Sequence, residues 1–488
     1  MTSLQGDLPP NQMRAALHRM ADWVADYREG LAERAIVPDV VPGDVTRGLA
    51  PTIPERGEPL EAIFGDLDDV VMPGIVHWGH PAFLGYFGST SNGPALLGEI
   101  AAAALNVSAM TWRTSPAATE LEAAVLRWIQ DLIGVPSEFM GIVYDTASVA
   151  VLHALAAARE EALSQVRARG LAGRAELPTL RLYASEQAHS SLEKAAIVLG
   201  VGEDNVVRIA TDALHRMVPA ALERAIAADR AQGMLPLAVI ATVGTTTSAA
   251  VDPVRAIAEL CARLGIWLHV DAAYGGAIGA LPERRHLLDG IERADSLVVN
   301  PHKWLFVPLD FSVLYVRRPD ALRRVFSLVP EYLRGDSSSS STAPGAAIDY
   351  MDYGIQLGRR FRALKAWMVL RAFGREGIAA RIREHCRLAE SLAERIAAEP
   401  GFELATPVSM SIVCFRFAPR GRSDEEADAM NASIVAAVNA SGTGYLTHSV
   451  LGGRTVMRVG FGNVLTTDAH VDAVWAQVVR ESGRAGAP

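Results

Sequence analysis

The chain has 488 residues, of which 50% are hydrophobic and 21% charged, and its formal net charge is −9 at pH 7. This length exceeds one ordinary domain, and the negative charge argues against a nucleic-acid-binding surface. Three scattered cysteines indicate neither a disulfide framework nor a zinc site, and no stretch approaches the ~20 apolar residues of a membrane helix. Because the N-terminus also lacks a secretory signal pattern, we expect a cytoplasmic protein without membrane contacts or a metal centre.

Residues 1–80 predict a helical segment followed by an extended stretch. The sequence "NQMRAALHRMADWVADYREGLAE" has a helical pattern, and "VPDVVPGDVTRGLAPTIPERGEP" is rich in proline. A segment of this kind has little core of its own. We therefore expect it to clasp another body, such as a partner subunit.

Residues 81–360 alternate helical patterns with short apolar strands, which predicts a large α/β domain with a mainly parallel sheet. Ser115-Pro116 predicts a capped helix start, and the core face of that helix carries Leu121, Ala124, Val125, Trp128, Ile129 and Leu132. A second helix is predicted from Pro253 to about Leu264, with Gly265 as the residue that ends it. Strands are predicted at 237–243, 266–270 and 296–299.

Residues 336–345, "DSSSSSTAPG", lie within the large domain and form a low-complexity segment. This segment is either a disordered insertion or an active-site lid.

The remaining sequence predicts a second, smaller domain. Residues 361–488 combine long helices with alternating strands such as "SMSIVCFRF" and "RTVMRVGF", which is typical of an α+β domain.

Several polar residues follow strands of the predicted sheet, at the edge where an open α/β sheet binds its ligands. They are Asp271, Lys303, His189, Thr245 to Thr247 and, before a long helix, Thr146, Ala147 and Ser148. Each has an ordinary alternative, because such residues are commonly caps, turn formers or, for a lysine, a snorkelling side chain. Their convergence on one edge of one sheet favours a functional site.

The types of these residues indicate what the site would bind. A desolvated lysine is a nucleophile towards carbonyls, a carboxylate can keep a pyridine nitrogen protonated, a flat imidazole can stack on a ring, and a helix N-terminus can hold a phosphate. These are the parts needed to bind pyridoxal 5′-phosphate, whose ring accepts the charge left on a substrate's α-carbon.

A family resemblance spans about residues 10–480 and is carried by "HPAFLGYF", "TSPAATELE", "SEQAHSSLEKAA", "GTTTSAAVDP", "HVDAAY" and "NPHKW". Together these motifs resemble the pyridoxal-phosphate-dependent aromatic L-amino-acid decarboxylases, which are group II decarboxylases of fold type I. The resemblance implies a transferase-like α/β fold: a mainly parallel seven-stranded sheet with flanking helices, an N-terminal helical segment and a C-terminal α+β domain.

The resemblance also implies a role for each matching residue. Lys303 corresponds to the lysine that binds the cofactor aldehyde as a Schiff base, and Asp271 corresponds to the partner of the pyridine nitrogen. His189 corresponds to the imidazole that stacks on the ring and contacts the substrate carboxylate. The other implied cofactor-binding residues are Ala147, Ser148, Thr246, Ala273, Asn300 and His302.

Tyr332, in "VPEYLRGD", corresponds to a tyrosine on a mobile catalytic loop. It is the implied proton donor to the α-carbon after CO₂ leaves, so it predicts an amine product. Relatives with phenylalanine at this position tend to release an aldehyde instead. Oxidative decarboxylation to an aldehyde, decarboxylation of a non-aromatic amino acid and an inactive cofactor-binding relative are the alternatives.

The resemblance implies an aromatic substrate pocket formed by Trp78, Tyr86, Phe87, Met110, Trp112 and Gly358. Glycine at 358 matches plant relatives that prefer indolic substrates, so tryptophan or 5-hydroxytryptophan should fit, while tyrosine, phenylalanine and DOPA stay open. Departures from the family pattern occur at Met110, Ser108 and Gly88 near the substrate, and at Tyr144, Asp145 and Val149 near the phosphate.

The resembling family is dimeric, with its active site at the subunit boundary. We therefore expect a homodimer whose N-terminal segment clasps the partner. Residues 108–112 are then expected to serve the pocket of the neighbouring subunit.

Overall fold

The computed structural model describes residues 7–88, 90–163, 165–328 and 347–486. Tyr332 and the low-complexity residues 336–345 therefore lie outside the described residues.

The α-helices are α1 Pro10–Glu29, α2 Asp44–Gly48, α3 Leu60–Asp66, α4 Gly93–Leu105, α5 Pro116–Ile133, α6 Ala147–Ala162, α7 Val166–Arg169, α8 Ser191–Val198, α9 Pro219–Ala231, α10 Val254–Leu264, α11 Pro301–Trp304, α12 Pro319–Phe326, α13 Ala363–Ala398, α14 Asp424–Ser441 and α15 Asp468–Ala485. The strands are β1 Met140–Tyr144, β2 Leu180–Ser185, β3 Val206–Ile209, β4 Leu235–Thr242, β5 Trp267–Asp271, β6 Ser296–Val299, β7 Ser312–Val316, β8 Phe402–Leu404, β9 Ile412–Phe417, β10 Thr447–Leu451 and β11 Arg454–Gly460. Shorter 3-10 segments occupy Gly30–Glu33, Met72–Gly74, Glu203–Asn205, Gly275–Ala280, Pro282–Leu288, Ile291–Arg293 and Tyr350–Tyr353.

A seven-stranded sheet forms the centre of the molecule, in the order β1-β7-β6-β5-β4-β2-β3. The strands from β6 to β3 pair in parallel, whereas β7 is antiparallel to both of its neighbours, β6 and β1. Every residue of β6 and β7 is buried, as expected for a sheet that helices cover on both faces. The predicted mainly parallel seven-stranded sheet is confirmed.

A second, antiparallel sheet follows in the C-terminal region, in the order β10-β11-β9-β8. Helices α14 and α15 pack together, and their buried residues share an apolar cluster with β9 and β11. The predicted C-terminal α+β unit is therefore confirmed as part of the fold. The domain limits 1–80, 81–360 and 361–488 stay a prediction.

Most of the elements predicted in the large domain are present, with shifts of one or two residues at their ends. Strand 296–299 is found as predicted, and α10 ends before Gly265, whose φ of +65° is left-handed. The prediction for α5 was wrong in two details. The Ser115 side chain makes no capping hydrogen bond, and Trp128 is 43% exposed. The buried face of α5 instead includes Glu122, because this carboxylate pairs with a buried arginine.

Within the described ranges, no helix is long and apolar enough to cross a membrane. The same ranges contain no group of three or more His, Cys, Asp or Glu side chains placed to hold a metal ion. The cytoplasmic location stays a prediction.

Buried histidines predict a loss of stability in acid. Burial lowers the pKa of His153, His269 and His385 to about 4 and that of His302 to about 3. Because the unfolded chain binds these protons near pH 6.5, the stabilisation is complete above that pH and is lost as the pH falls towards 4. Each histidine should contribute a slope of roughly 1.4 kcal/mol per pH unit to the free energy of unfolding in this interval.

Chemical denaturation followed by circular dichroism at several pH values between 7.5 and 5 measures this slope. His385→Gln should reduce the slope, whereas His448→Gln, at an exposed histidine of β10, should leave it unchanged. A free energy of unfolding that does not change between pH 6.5 and 5 would contradict the prediction.

Candidate active site

A cavity of about 170 Å³ lies at the carboxyl ends of the parallel strands β4, β5 and β6. The predicted cofactor-binding residues that line it are Ala147, Ser148, His189, Thr246, Asp271, Ala273, Asn300 and Lys303. The remaining one, His302, is buried next to Lys303. The structure therefore brings together at one edge of the sheet the residues that were predicted to form one site.

Lys303 lies on the short helix α11, directly after β6. Its Nζ lies 4.3 Å from the centre of the Phe87 ring and has no hydrogen-bond acceptor among the described residues. Burial lowers the pKa of Lys303 to about 8; the nearby Asp271 carboxylate opposes this shift, and the Arg458 guanidinium adds to it. A larger fraction of this amine than of an ordinary lysine is therefore uncharged near neutral pH, and the uncharged form is the one that attacks an aldehyde.

Asp271 is the last residue of β5, between Thr242 of β4 and Val298 of β6 in the sheet register. Its Oδ1 accepts a hydrogen bond from the backbone N–H of Ala273 at 3.0 Å. This contact fixes the orientation of the carboxylate. Asp271 also lines the cavity, so it is placed to pair with a protonated ring nitrogen.

His189 follows β2 and enters the same cavity. Its Nδ1 accepts a hydrogen bond from the backbone N–H of Ser191 at 3.1 Å, so the proton of the neutral ring is on Nε2. Burial lowers the pKa of His189, against the opposing effect of Asp271. A neutral, flat imidazole with a free N–H results.

One end of the cavity is rich in hydrogen-bond donors. Thr146 precedes α6 without a side-chain capping bond, so within the described residues its hydroxyl and the N–H groups of Ala147 and Ser148 are available as donors. Asn300 Oδ1 accepts from the Ser312 hydroxyl at 2.6 Å, which leaves its N–H₂ group to donate. His302 Nδ1 accepts from the Phe311 N–H at 3.0 Å, which places the ring proton on Nε2. His302 does not line the cavity, whereas Thr146, the start of α6 and Asn300 do, and their donors fit a phosphate group.

Tyr274 is a site residue that the sequence analysis did not select, although it belongs to the motif "HVDAAY". Its ring lies 4.6 Å from that of Phe87 and 4.9 Å from that of Trp304. Its hydroxyl shares a 2.7 Å hydrogen bond with Ser411 of the C-terminal region. Tyr274 therefore packs against the Phe87 ring, which in turn contacts Lys303.

Arg458 of β11 was also missed. Its guanidinium lies 4.9 Å from the centre of the Phe87 ring, and it donates to the carbonyl oxygens of Thr246 at 3.0 Å and Tyr86 at 2.6 Å. Its Nη2 is buried without a partner among the described residues. An arginine inside the otherwise apolar part of "RTVMRVGF" was the signal that could have identified it.

The family departures near the phosphate end have a structural explanation. The Tyr144 hydroxyl donates to the carbonyl oxygen of Tyr353, and the Tyr144 ring stacks on His153 with 4.5 Å between the ring centres. His153 Nε2 accepts from the N–H of Ile355 at 3.0 Å, while Val149 packs against the main core. These contacts attach the turn between β1 and α6, which is the predicted phosphate-binding turn, to the backbone of residues 353–355.

The predicted substrate-binding aromatics fall into two groups. Phe87 contacts Lys303, and Tyr86 stacks on Trp78 with 5.3 Å between the ring centres. The cavity lining includes none of the predicted substrate-binding residues Trp78, Tyr86, Phe87, Met110, Trp112 and Gly358. A Cβ atom at Gly358 would meet nothing within 4 Å, which shows that this position faces open space in the single chain.

Comparison with known proteins identifies the family. A model of the pyridoxal-dependent decarboxylase conserved domain matches residues 42–418. The chain belongs to this family. Tryptophan decarboxylase 2 of Oryza sativa subsp. japonica is 38% identical over 472 residues, which cover 95% of this chain and 93% of that protein. Phenylacetaldehyde synthase of Arabidopsis thaliana is 37% identical, with 96% of each chain covered.

Among solved structures, Oryza sativa TDC with PLP and tryptamine is similar, with a TM-score of 0.93 and 36% identity over 98% of this chain and 99% of that chain. The protein is thus a pyridoxal-phosphate-dependent decarboxylase of the aromatic amino acid decarboxylase family. The predicted enzyme class, cofactor and fold type are confirmed. One of these relatives is named a decarboxylase and another an aldehyde synthase, so the comparison leaves the product of this decarboxylase open.

Proposed function

We propose that the protein converts an aromatic L-amino acid to the corresponding arylalkylamine and CO₂, with tryptophan or 5-hydroxytryptophan preferred. The observation that carries this proposal is the arrangement around Lys303. An amine with a lowered pKa shares a cavity with Asp271 and His189, and the other end of that cavity is a cluster of donors suited to phosphate.

Pyridoxal phosphate, when bound, supplies a ring that accepts the electron pair left when CO₂ departs. The chain's own residues hold and orient that ring. Lys303 would bind the aldehyde carbon, Asp271 would keep a proton on the ring nitrogen and His189 would cover one face of the ring. Ala273 would pack against the ring, Ala147, Ser148 and Asn300 would hold the phosphate, and Thr246 and His302 would lie in the surroundings of the cofactor.

The substrate carboxylate has two candidate partners in this site. Arg458 offers a buried guanidinium nitrogen without a partner among the described residues, beside the Phe87 ring that Lys303 contacts. His189 offers its Nε2–H from within the cavity. Charge-assisted hydrogen bonds from such donors would hold the carboxylate next to the cofactor carbon.

We also propose that the decarboxylase acts as a homodimer. Helix α1 buries none of its residues, and α4 exposes Leu97, Ile100 and Leu105 by 62%, 55% and 59%. Large apolar side chains that are exposed together on one helix support an interaction surface at α4. In such a dimer, residues 108–112 and the open space at Gly358 would complete the substrate pocket of the neighbouring subunit.

The similarity to an aldehyde synthase keeps one alternative, oxidative decarboxylation to an aldehyde. A product assay on the purified holoenzyme separates the two. The enzyme is offered tryptophan, 5-hydroxytryptophan, tyrosine, phenylalanine, DOPA, histidine and glutamate, and amine, aldehyde, hydrogen peroxide and ammonia are quantified. We expect amine from the indolic acids without peroxide. Stoichiometric aldehyde and peroxide, or amine only from glutamate or histidine, would refute the proposal.

A further inference from the structure

A buried ion pair lies outside the cofactor cavity. Arg359 is 6% exposed and Glu122 is 1% exposed. Arg359 donates from Nη2 to Glu122 Oε1 at 2.6 Å and from Nη1 to Oε2 at 3.1 Å, a two-point contact that lysine cannot make. Well-packed apolar residues are often at least as stable as a buried ion pair. Stability alone therefore does not explain why this position holds an ion pair instead of apolar residues.

Arg359 forms hydrogen bonds with the backbone next to Met110 and Gly358, which are predicted to bind the aromatic ring of the substrate. Its Nη1 donates to the carbonyl oxygen of Ala109 at 3.0 Å, and its own carbonyl oxygen accepts from the Ala109 N–H at 2.8 Å. Its backbone N–H donates to the Ser108 hydroxyl at 3.3 Å. Met110 follows this anchored backbone directly, and Gly358 directly precedes Arg359.

The same ion pair is tied to the phosphate end of the site. Arg359 Nη2 donates to the carbonyl oxygen of Val143 at 2.9 Å, and Glu122 Oε1 accepts from the N–H of Val143 at 3.2 Å. Val143 belongs to β1, which leads into the phosphate-binding turn. The Arg359 guanidinium also covers the Tyr350 ring at 4.8 Å. One rigid group thus fixes residues 108–109 and 358 relative to the central sheet.

We propose that Arg359, held by Glu122, is a positioning residue that sets residues 108–112 and Gly358 against the aromatic ring of the substrate in the neighbouring subunit. This inference rests on the proposed function and on the proposed dimer. Arg359 touches neither cofactor nor substrate. It acts by fixing the backbone on both sides of the ring, and so it determines whether an indole or a phenol ring fits better.

The first test is Arg359→Lys, which keeps the charge and loses the two-point contact. The ratio of kcat/KM for tryptophan to that for tyrosine should change at least tenfold, mainly through KM. The dissociation constants of tryptamine and tyramine, measured by calorimetry, should shift in the same sense. The matched control is Arg416→Lys, because Arg416 is another buried arginine that pairs with carboxylates, those of Asp424 and Asp428. This control should leave unchanged both the kcat/KM ratio and the ratio of the tryptamine and tyramine dissociation constants.

A second variant guards against a simple folding defect. Glu122→Leu combined with Arg359→Met removes both charges, a replacement that buried pairs often tolerate. This double variant should fold, bind cofactor and show the same altered ratios as Arg359→Lys. Ratios within twofold of the wild type in both variants would overturn the inference.

A mixed dimer tests whether Arg359 positions residues 108–112 in the substrate pocket of its own subunit or in that of the neighbouring subunit. One protomer carries Lys303→Ala and the other carries Arg359→Lys, so the single active lysine lies in the second protomer. Its pocket receives residues 108–112 from the first protomer, where Arg359 is intact, and a wild-type ratio is expected. An altered ratio would overturn the assignment to the neighbouring subunit.

The outcomes also separate this inference from the proposed function. A wild-type enzyme that makes no amine from any aromatic acid would refute the proposed function, and the tryptamine and tyramine measurements would still test Arg359. A wild-type enzyme that makes amine while both ratios stay unchanged in the variants would refute only the role of Arg359.

Discussion

Lys303→Ala is expected to lower the rate of CO₂ release by roughly 10³-fold or more, because it removes the amine that holds the cofactor aldehyde. The fold should be unaffected, since Nζ contacts the Phe87 ring and has no hydrogen-bond acceptor among the described residues. The donors at the phosphate end stay in place, so the variant should still bind the cofactor without a covalent bond. Stopped assays of amine and CO₂ measure the loss.

Two companion variants distinguish chemistry from charge. Lys303→Arg keeps a cation in the cavity and should be as inactive as the alanine variant, because arginine stays protonated. Lys194→Ala, at an exposed lysine of α8, should keep normal activity. A Lys303→Ala protein that retains a rate within tenfold of the wild type would show that the reaction does not depend on this amine.

Tyr332→Phe is expected to change the product from amine to aldehyde. In the proposed function the tyrosine hydroxyl supplies the proton that the α-carbon takes up after CO₂ has left, and general acid catalysis of this kind contributes roughly 10²-fold or more. Without that proton, reaction with O₂ and water yields aldehyde, ammonia and hydrogen peroxide: O₂ is reduced to hydrogen peroxide, and water supplies the aldehyde oxygen as ammonia leaves. The amine rate should therefore fall by about that factor while peroxide becomes stoichiometric with aldehyde.

The control for this variant is Tyr353→Phe. Within the described residues, Tyr353 accepts a hydrogen bond through its backbone carbonyl oxygen, and its hydroxyl makes none. Loss of the hydroxyl should therefore preserve the amine product. Peroxide, aldehyde and amine are measured together for each protein. If Tyr332→Phe still makes amine at the wild-type rate, the assignment of Tyr332 as proton donor is wrong.

The cofactor end of the site could be predicted from sequence because it depends on strand ends. Asp271 closes β5 and Lys303 follows β6, so parallel pairing alone brings both to one edge of the sheet. The position of β6 could be predicted because its apolar run is short and is broken by Asn300-Pro301.

The part of the site that is proposed to bind the substrate ring could not be placed in the same way. Arg359, which follows Gly358, contacts residues 108–109, which precede Met110; these two segments are distant in sequence and leave no periodic pattern. The exposed Trp128 shows a similar limit. Val125, Ile129 and Leu132 are buried as apolar spacing predicts, but α5 also buries Glu122, whose partner Arg359 is distant in sequence. Arg458 was missed because its partners are backbone carbonyl oxygens on other segments.

The pairing of β1 has a consequence for synthesis on the ribosome. At the edge of the large sheet, β1 pairs with β7, whose residues are made roughly 170 positions later, which takes some 10–30 s at ordinary elongation rates. During that interval β1 has no strand partner in the large sheet, and the turn that follows it is not yet anchored. The turn between β1 and α6 is attached to residues 353–355, so it is anchored only after those residues have been added. Until β7 has been made, β1 exposes unpaired backbone groups of the kind that favour aggregation.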